Sequence, residues 1–188
     1  PGAPYVIGGD TAGTGSDWFV GQVLDNRTGE QVAVLHHQYG ERAYAEQMYC
    51  LGMYYNEALI GVETNYSTYP EMCLEDLGYK RLYVRQRYDD YTGKLVPAFG
   101  FDTNSSTRPV IVDGLKDVAD RCPHLLNDYE TLGEMLTFVY DKNWKPQAET
   151  GEHDDLVMAL AIAHGIRGQQ ETAARARAVQ GTAVWEPD

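Results

Sequence analysis

The apolar run from Tyr5 to Gly9, closed by Asp10, has the length of a buried β-strand. Thr11 to Ser16 (TAGTGS) reads as a glycine-rich turn. Trp18 to Leu24 and Gln31 to His37 read as two further strands joined by a tight turn at Asn26 to Gly29, which is a hairpin signal. The chain is therefore predicted to open with an antiparallel three-stranded meander whose first strand ends at Asp10. Glu41 to Tyr55 carries apolar residues at helical spacing. Ala58 to Val62 is a compact buried strand followed directly by Glu63, and Tyr69 to Leu77 is a helix stopped by Gly78. Lys80 to Tyr88 alternates like a strand, Asp89 to Gly93 turns, and Leu95 to Phe101 returns. Helices are predicted over Ser106 to Asp120 and Tyr129 to Val139. His153 to Ile166 (HDDLVMALAIAHGI) is apolar on most sides and predicts a buried helix. Residues 168–188 turn polar and alanine-rich, which predicts a surface helix and a loose tail. This order implies a mixed α/β sheet flanked by helices, with one domain over 1–167 and a polar tail over 168–188. There is no internal repeat and no low-complexity linker.

Composition narrows the picture. With 188 residues, 43% apolar and 23% charged, the chain has ordinary globular arithmetic and enough length for one core without staples. No run is long and apolar enough to span a membrane, and no basic segment precedes an apolar one as in a signal peptide. The chain begins at Pro1, which leads us to expect a processed protein or a piece of a longer one. Cys50, Cys73 and Cys122 lack metal or redox spacing and suggest buried thiols in a reducing compartment. The net charge of −13, from 28 acids against 15 Lys and Arg, disfavours a protein that coats nucleic acid by charge. It leaves room for a nucleic-acid enzyme whose carboxylates hold metal ions, since the ions then supply the positive charge.

Three acidic features follow from the pattern. Asp10 ends the first strand, Glu63 ends the fourth, and Asp154 and Asp155 open the buried helix. A carboxylate closing a buried strand is costly unless something pairs with it. Strand ends on one sheet edge lie close together, so these acids can converge, and converging carboxylates repel unless cations sit between them. Such hard oxygen donors suit Mg²⁺ or Mn²⁺. Two ions roughly 4 Å apart can hold a scissile phosphate, activate a water and stabilise the leaving oxygen. Each acid also has a plainer reading. Asp10 can be a turn residue, Glu63 a surface acid at a strand end, and Asp154 or Asp155 a helix N-cap. The combination carries more weight than any member, because each acid bounds an apolar segment.

Other candidates are weaker. GGDTAGTG lacks the Gly-Lys-Ser/Thr ending of a phosphate-binding loop, and a hairpin follows it where a helix would be needed. His36 and His37 sit in a strand and read as structural. His153, beside Asp154, reads as a ligand or as an outer-sphere partner. The tyrosines at 44, 49, 54 and 55 read as packing. Ser105 and Ser106 have no base nearby in the sequence.

GGDTAGTGSDW, IGVETN and GEHDDLVMALAIA together resemble the nuclease domain of tailed-phage terminase large subunits, over residues 4–167. NSSTRPVIVDGLKD at 104–117 strengthens the resemblance, since a Thr-x-x-x-Arg-Pro-like segment starts a helix between the second and third acidic motifs of that family. The resemblance implies a ribonuclease H-like fold and endonucleolytic cutting of concatemeric double-stranded viral DNA with two divalent ions, Mg²⁺ or Mn²⁺. It implies Asp10 as the bridging acid, Glu63 as the second acid, and Asp154 or Asp155 as the last; it does not settle which of that pair is the main ligand, and we keep both while favouring Asp155 slightly. It further implies the host cytoplasm as the setting, with an N-terminal packaging ATPase, a portal and a small terminase subunit as partners. No Walker pattern is present, so the expectation is a nuclease half without its motor. In that frame Lys80 to Phe101 reads as an extra hairpin bearing Lys80, Arg81, Arg85, Arg87 and Lys94. By strand alternation Arg81, Arg85 and Arg87 share a face, either as a phosphate-contacting arm or as a charged edge that blocks aggregation. The alternatives are a Holliday-junction-resolvase-like nuclease, a sugar-kinase or actin-like phosphotransferase, and a non-catalytic module that docks on a portal or motor. The phosphotransferase would need a second lobe.

Overall fold

The computed structural model describes residues 4–11, 18–142 and 145–181, and of 171–181 the backbone alone. Strands β1 (Tyr5–Asp10), β2 (Phe19–Asp25) and β3 (Glu30–His37) form the antiparallel meander, and β4 (Leu59–Val62) joins β1 in parallel. The sheet order is β3-β2-β1-β4. Helix α1 (Glu41–Tyr54) connects β3 to β4, and α2 (Tyr69–Asp76) follows β4. Helices α3 (Thr107–Arg121), α4 (Tyr129–Leu136) and α5 (Asp155–Gly181) complete the chain.

Period-two alternation divides the core into two layers. Ile7 and Ile60 face α1 and α2, where they pack with Tyr44, Met48 and Leu74. Val6 and Leu59 face the other way, onto α5 and α3, among Leu160, Ile162, Ile111 and Leu115. The segment from Leu156 to Ala163 is buried at every position, because α5 lies between the sheet and the helices outside it. A Cβ at Gly8 would come within 2.2 Å of the Ala159 carbonyl and 2.3 Å of the Ala163 amide, so only glycine lets α5 lie this close to β1. Near its middle α5 is tied to the β2–β3 turn, where Arg167 donates to the Asn26 side chain (2.8 Å) and carbonyl (3.0 Å).

Beyond β4 the sheet edge is built differently from the alternation reading. Strand β5 (Val84–Asp89) begins four residues later than the Lys80 start predicted above, and among the described residues it pairs only with β6 (Lys94–Phe99). The legs of this hairpin dock on β4 in succession: Leu82 bridges Ile60, and Phe101 bridges Glu63. The hairpin is thus inserted within what would be one edge strand. Gly100, at φ +79°, turns the chain back onto the sheet where a β-carbon would fall 2.4 Å from Thr64 and 2.7 Å from Glu71.

The helix predicted over Tyr129 to Val139 ends at Leu136. Phe138–Tyr140 instead forms β7, paired with β8 (Pro146–Ala148), a small hairpin that the helical spacing concealed. The aromatic and β-branched run Phe-Val-Tyr prefers a pleated surface. Cys73 is buried and Cys122 half-buried, but Cys50 is exposed on α1, contrary to the expectation of buried thiols throughout. Helix α5 runs unbroken past 167 to Gly181, and the tail expected beyond it, with the glycine-rich turn over 12–16, lies outside the described residues. No helix among the described residues is long and apolar enough to cross a membrane.

Candidate active site

Sheet register brings the first two acids together. Gly9 pairs with Val62 across β1 and β4, and the Glu63 amide donates to the Gly9 carbonyl at 2.9 Å. One residue further on, Asp10 stands opposite Glu63. Both lie in phase with the residues that face α5: Val6, Gly8 and Asp10 on β1; Leu59, Gly61 and Glu63 on β4. Asp155 stands one helical turn before Ala159, which crosses Gly8, so the start of α5 is delivered over the same strand ends.

Asp10 and Glu63 are only 7% and 5% exposed. Burial holds the Asp10 carboxyl well above the usual carboxylate range, and the adjacent Glu63 adds to this through its charge and a shared hydrogen bond. Asp155 and then Asp154 raise it further. The Thr11 amide donates to Asp10 Oδ1 at 2.8 Å.

All four acids line one cavity of about 590 Å³, together with Thr11, Asn65, Thr103, Arg108 and Lys145 among others. They are not used alike. Arg108, in the first turn of α3, forms an ion pair with Asp154 and donates to the Pro146 carbonyl at 2.9 Å. Neither aspartate carries the helix cap. Glu134 of α4 reaches across, and its Oε2 accepts from the Leu156 amide (2.8 Å) and the Val157 amide (3.1 Å). Among the described residues no three His, Cys, Asp or Glu side chains are gathered tightly enough to enclose an ion as they stand. The donor set still suits one. Carboxylate oxygens are the ligands of hard divalent cations, and carboxylates brought this close are mutually repulsive, a repulsion that a bound cation offsets.

His153 lies 3.6 Å from Asp155 Oδ2 but opens onto a separate cavity with Trp18, His36 and Glu130. Of the basic residues, Arg85 and Arg87 share a face of β5, and both line a cavity beside the acidic one, with Tyr88, Asp102 and Asn104. Arg85 also donates to the Phe99 and Gly100 carbonyls at the hairpin base. Arg81 stands before β5 and binds Gln170 of α5, so it does not share their face; Lys80 is exposed and lines neither cavity. Sequence reasoning passed over Arg108, Lys145 and Glu134. The Arg-Pro dipeptide at a helix start was the visible trace of Arg108, and nothing local marks the other two.

No protein-family profile matches the sequence, and no curated protein matches it. The fold itself is of the ribonuclease H-like class: a mixed sheet with helices on both faces and acids at its strand ends. Among solved structures it is similar to the large terminase nuclease from thermophilic phage G20c, with a TM-score of 0.65 and 20% identity over 87% of this chain and 82% of that one. The same nuclease with bound magnesium gives a TM-score of 0.67 at 20% identity, covering 88% and 82%. With bound cobalt it gives 0.67 at 19%, covering 87% and 81%.

Proposed function

We propose that this chain is a divalent-metal-dependent endonuclease that cuts double-stranded viral DNA during genome packaging, as the nuclease part of a terminase large subunit. The observation that carries this reading is the buried Asp10 and Glu63 pair, set at the strand ends beneath the start of the helix that bears Asp154 and Asp155. Such an investment of buried charge is unfavourable for stability alone. The fold likeness to the G20c nuclease, and the metals in its structures, support the reading further.

In this proposal Asp10, Glu63 and the Asp154 and Asp155 pair hold Mg²⁺ or Mn²⁺. Two such ions, when bound, supply the charge that lowers the pKa of an attacking water and offsets the charge on the leaving oxygen. The chain's own residues do the rest. Arg108 and Lys145 place positive charge on the cavity wall, where a phosphate can be oriented. Burial of Asp10 and Glu63 keeps competing water from their oxygens. Arg85, Arg87 and Lys94 on the hairpin extend the basic wall toward flanking phosphates, with Lys80 and Arg81 at its root. The setting is the host cytoplasm, with the packaging ATPase, portal and small subunit as partners.

Supercoiled plasmid incubated with Mn²⁺ tests the reading. Nicked and linear products should form with the wild-type protein and not with Asp10→Asn. A cleavage requirement for branched DNA would favour a resolvase-like nuclease, and absence of cleavage would favour a docking module.

A further inference from the structure

Helix α5 begins in an unusual way. Asp154 occupies its cap position, with its carbonyl accepting the Met158 amide at 2.8 Å, and aspartate there ordinarily caps with its own side chain. Here that carboxylate is taken by Arg108, 46 residues earlier in the chain. The orphaned amides of Leu156 and Val157 are served by Glu134 from a different helix. Glu134 is itself held in place. Asp128 caps α4 by accepting from the Thr131 amide at 2.8 Å, and the Thr131 hydroxyl takes a bond from the buried Gln22 at 2.9 Å. Gln22 in turn accepts from Gln31 at 2.8 Å. A chain of hydrogen bonds thus runs from the meander through α4 to the first turn of α5.

We infer that Glu134 is a positioning residue for the metal-binding acids: by capping α5 from outside while Arg108 engages Asp154, it leaves Asp155 directed at Asp10 and Glu63. The inference rests on the nuclease reading above. The division of labour assigns Asp155 to the ion and Asp154 to Arg108. On this inference the two adjacent aspartates are not interchangeable.

Outer-sphere partners of metal ligands, when removed, typically lower metal affinity by about 10–100-fold. The test is the Mn²⁺ dissociation constant by calorimetry, alongside thermal melts and the Mn²⁺ concentration giving half-maximal plasmid cleavage. Glu134→Ala should weaken Mn²⁺ binding by about tenfold or more and raise the half-maximal concentration more than it lowers the maximal rate. Glu134→Gln, whose carbonyl oxygen still accepts from both amides, should restore most of the affinity. Asn26→Ala, which loosens α5 at Arg167, about three turns beyond the acids, should lower the melting temperature yet leave Mn²⁺ affinity unchanged. If Glu134→Ala does not fold, Glu134→Asp, one methylene too short to reach, serves in its place. Wild-type Mn²⁺ affinity in a folded Glu134→Ala or Glu134→Asp variant would overturn the inference while leaving the nuclease reading intact. A wild-type protein that neither binds Mn²⁺ nor cuts DNA would overturn the reading, and the inference with it.

Discussion

Asp10 and Glu63 were visible in the sequence because each closes an apolar run, where a charge is conspicuous. Their expected roles differ from that of a third buried acid. Asp10→Asn keeps the side-chain shape and removes a charge, so the protein should fold while plasmid cleavage falls by several orders of magnitude. Cleavage near the wild-type rate would refute the assignment. Glu71, packed on the opposite face of the sheet against Gly100, has no part in the proposed chemistry. Burial pushes its pKa from 4.5 to about 8. The folded state therefore binds the proton more tightly than the unfolded one. The stability this contributes is complete below about 4.5 and is lost as pH rises through about 8. At about 1.4 kcal/mol per unit of pKa, the swing is several kcal/mol. Urea denaturation should show Glu71→Gln matching wild type near the acid end of this window and exceeding it above the alkaline end. The contacts of Arg108 and Glu134 were not legible, because their partners lie 46 and about 22 residues away in the chain. No local spacing rule reports a contact made by the fold.

At the scale of elements, the contact between α5 and β1 is the joint on which the acids depend. Gly8→Ala would press a methyl group into the backbone of α5. Overpacking of this kind costs about 1–3 kcal/mol, and here it should also weaken Mn²⁺ binding, because the helix that bears Asp155 must move. Gly114→Ala on α3 meets nothing within 4 Å and should instead stabilise by about 0.5–1 kcal/mol. Calorimetric melts of the two variants should therefore shift in opposite directions. The hairpin of β5 and β6 is the element whose role is most open to test. Arg87→Ala removes a side chain that anchors nothing in the hairpin base, unlike Arg85. Its loss should lower the slope of log affinity against log salt by about 0.9 if it neutralises one phosphate. An unchanged slope would make the hairpin a charged edge. The sequence pattern revealed most of these elements but merged β7 into a helix and ran β5 back to Lys80. A three-residue strand carries no period, and docking of Leu82 on β4 is a tertiary event.

For the whole molecule, the excess of acids shapes the behaviour expected of the proposed nuclease toward metal and DNA. With a net charge of −13, the isolated protein should bind duplex DNA weakly and with strong salt dependence. Divalent cations should bind the folded state in preference to the unfolded one. Mass action then predicts a stabilisation of about 2.7 kcal/mol at a metal concentration one hundred times the dissociation constant. Asp155→Asn should blunt that gain, and equal Mn²⁺-induced melting shifts for the variant and wild type would contradict it. The sequence by itself determined which segments are buried, the meander, and the acids that bound the apolar runs, because burial and alternation are properties of neighbouring residues. Tertiary structure alone decided that Asp10 and Glu63 stand side by side, since that depends on the register of two strands about fifty residues apart. It also decided that the adjacent aspartates have different surroundings, because Asp154 and Asp155 are chemically identical and only the fold pairs Asp154 with Arg108 of α3 and sets Asp155 3.6 Å from His153.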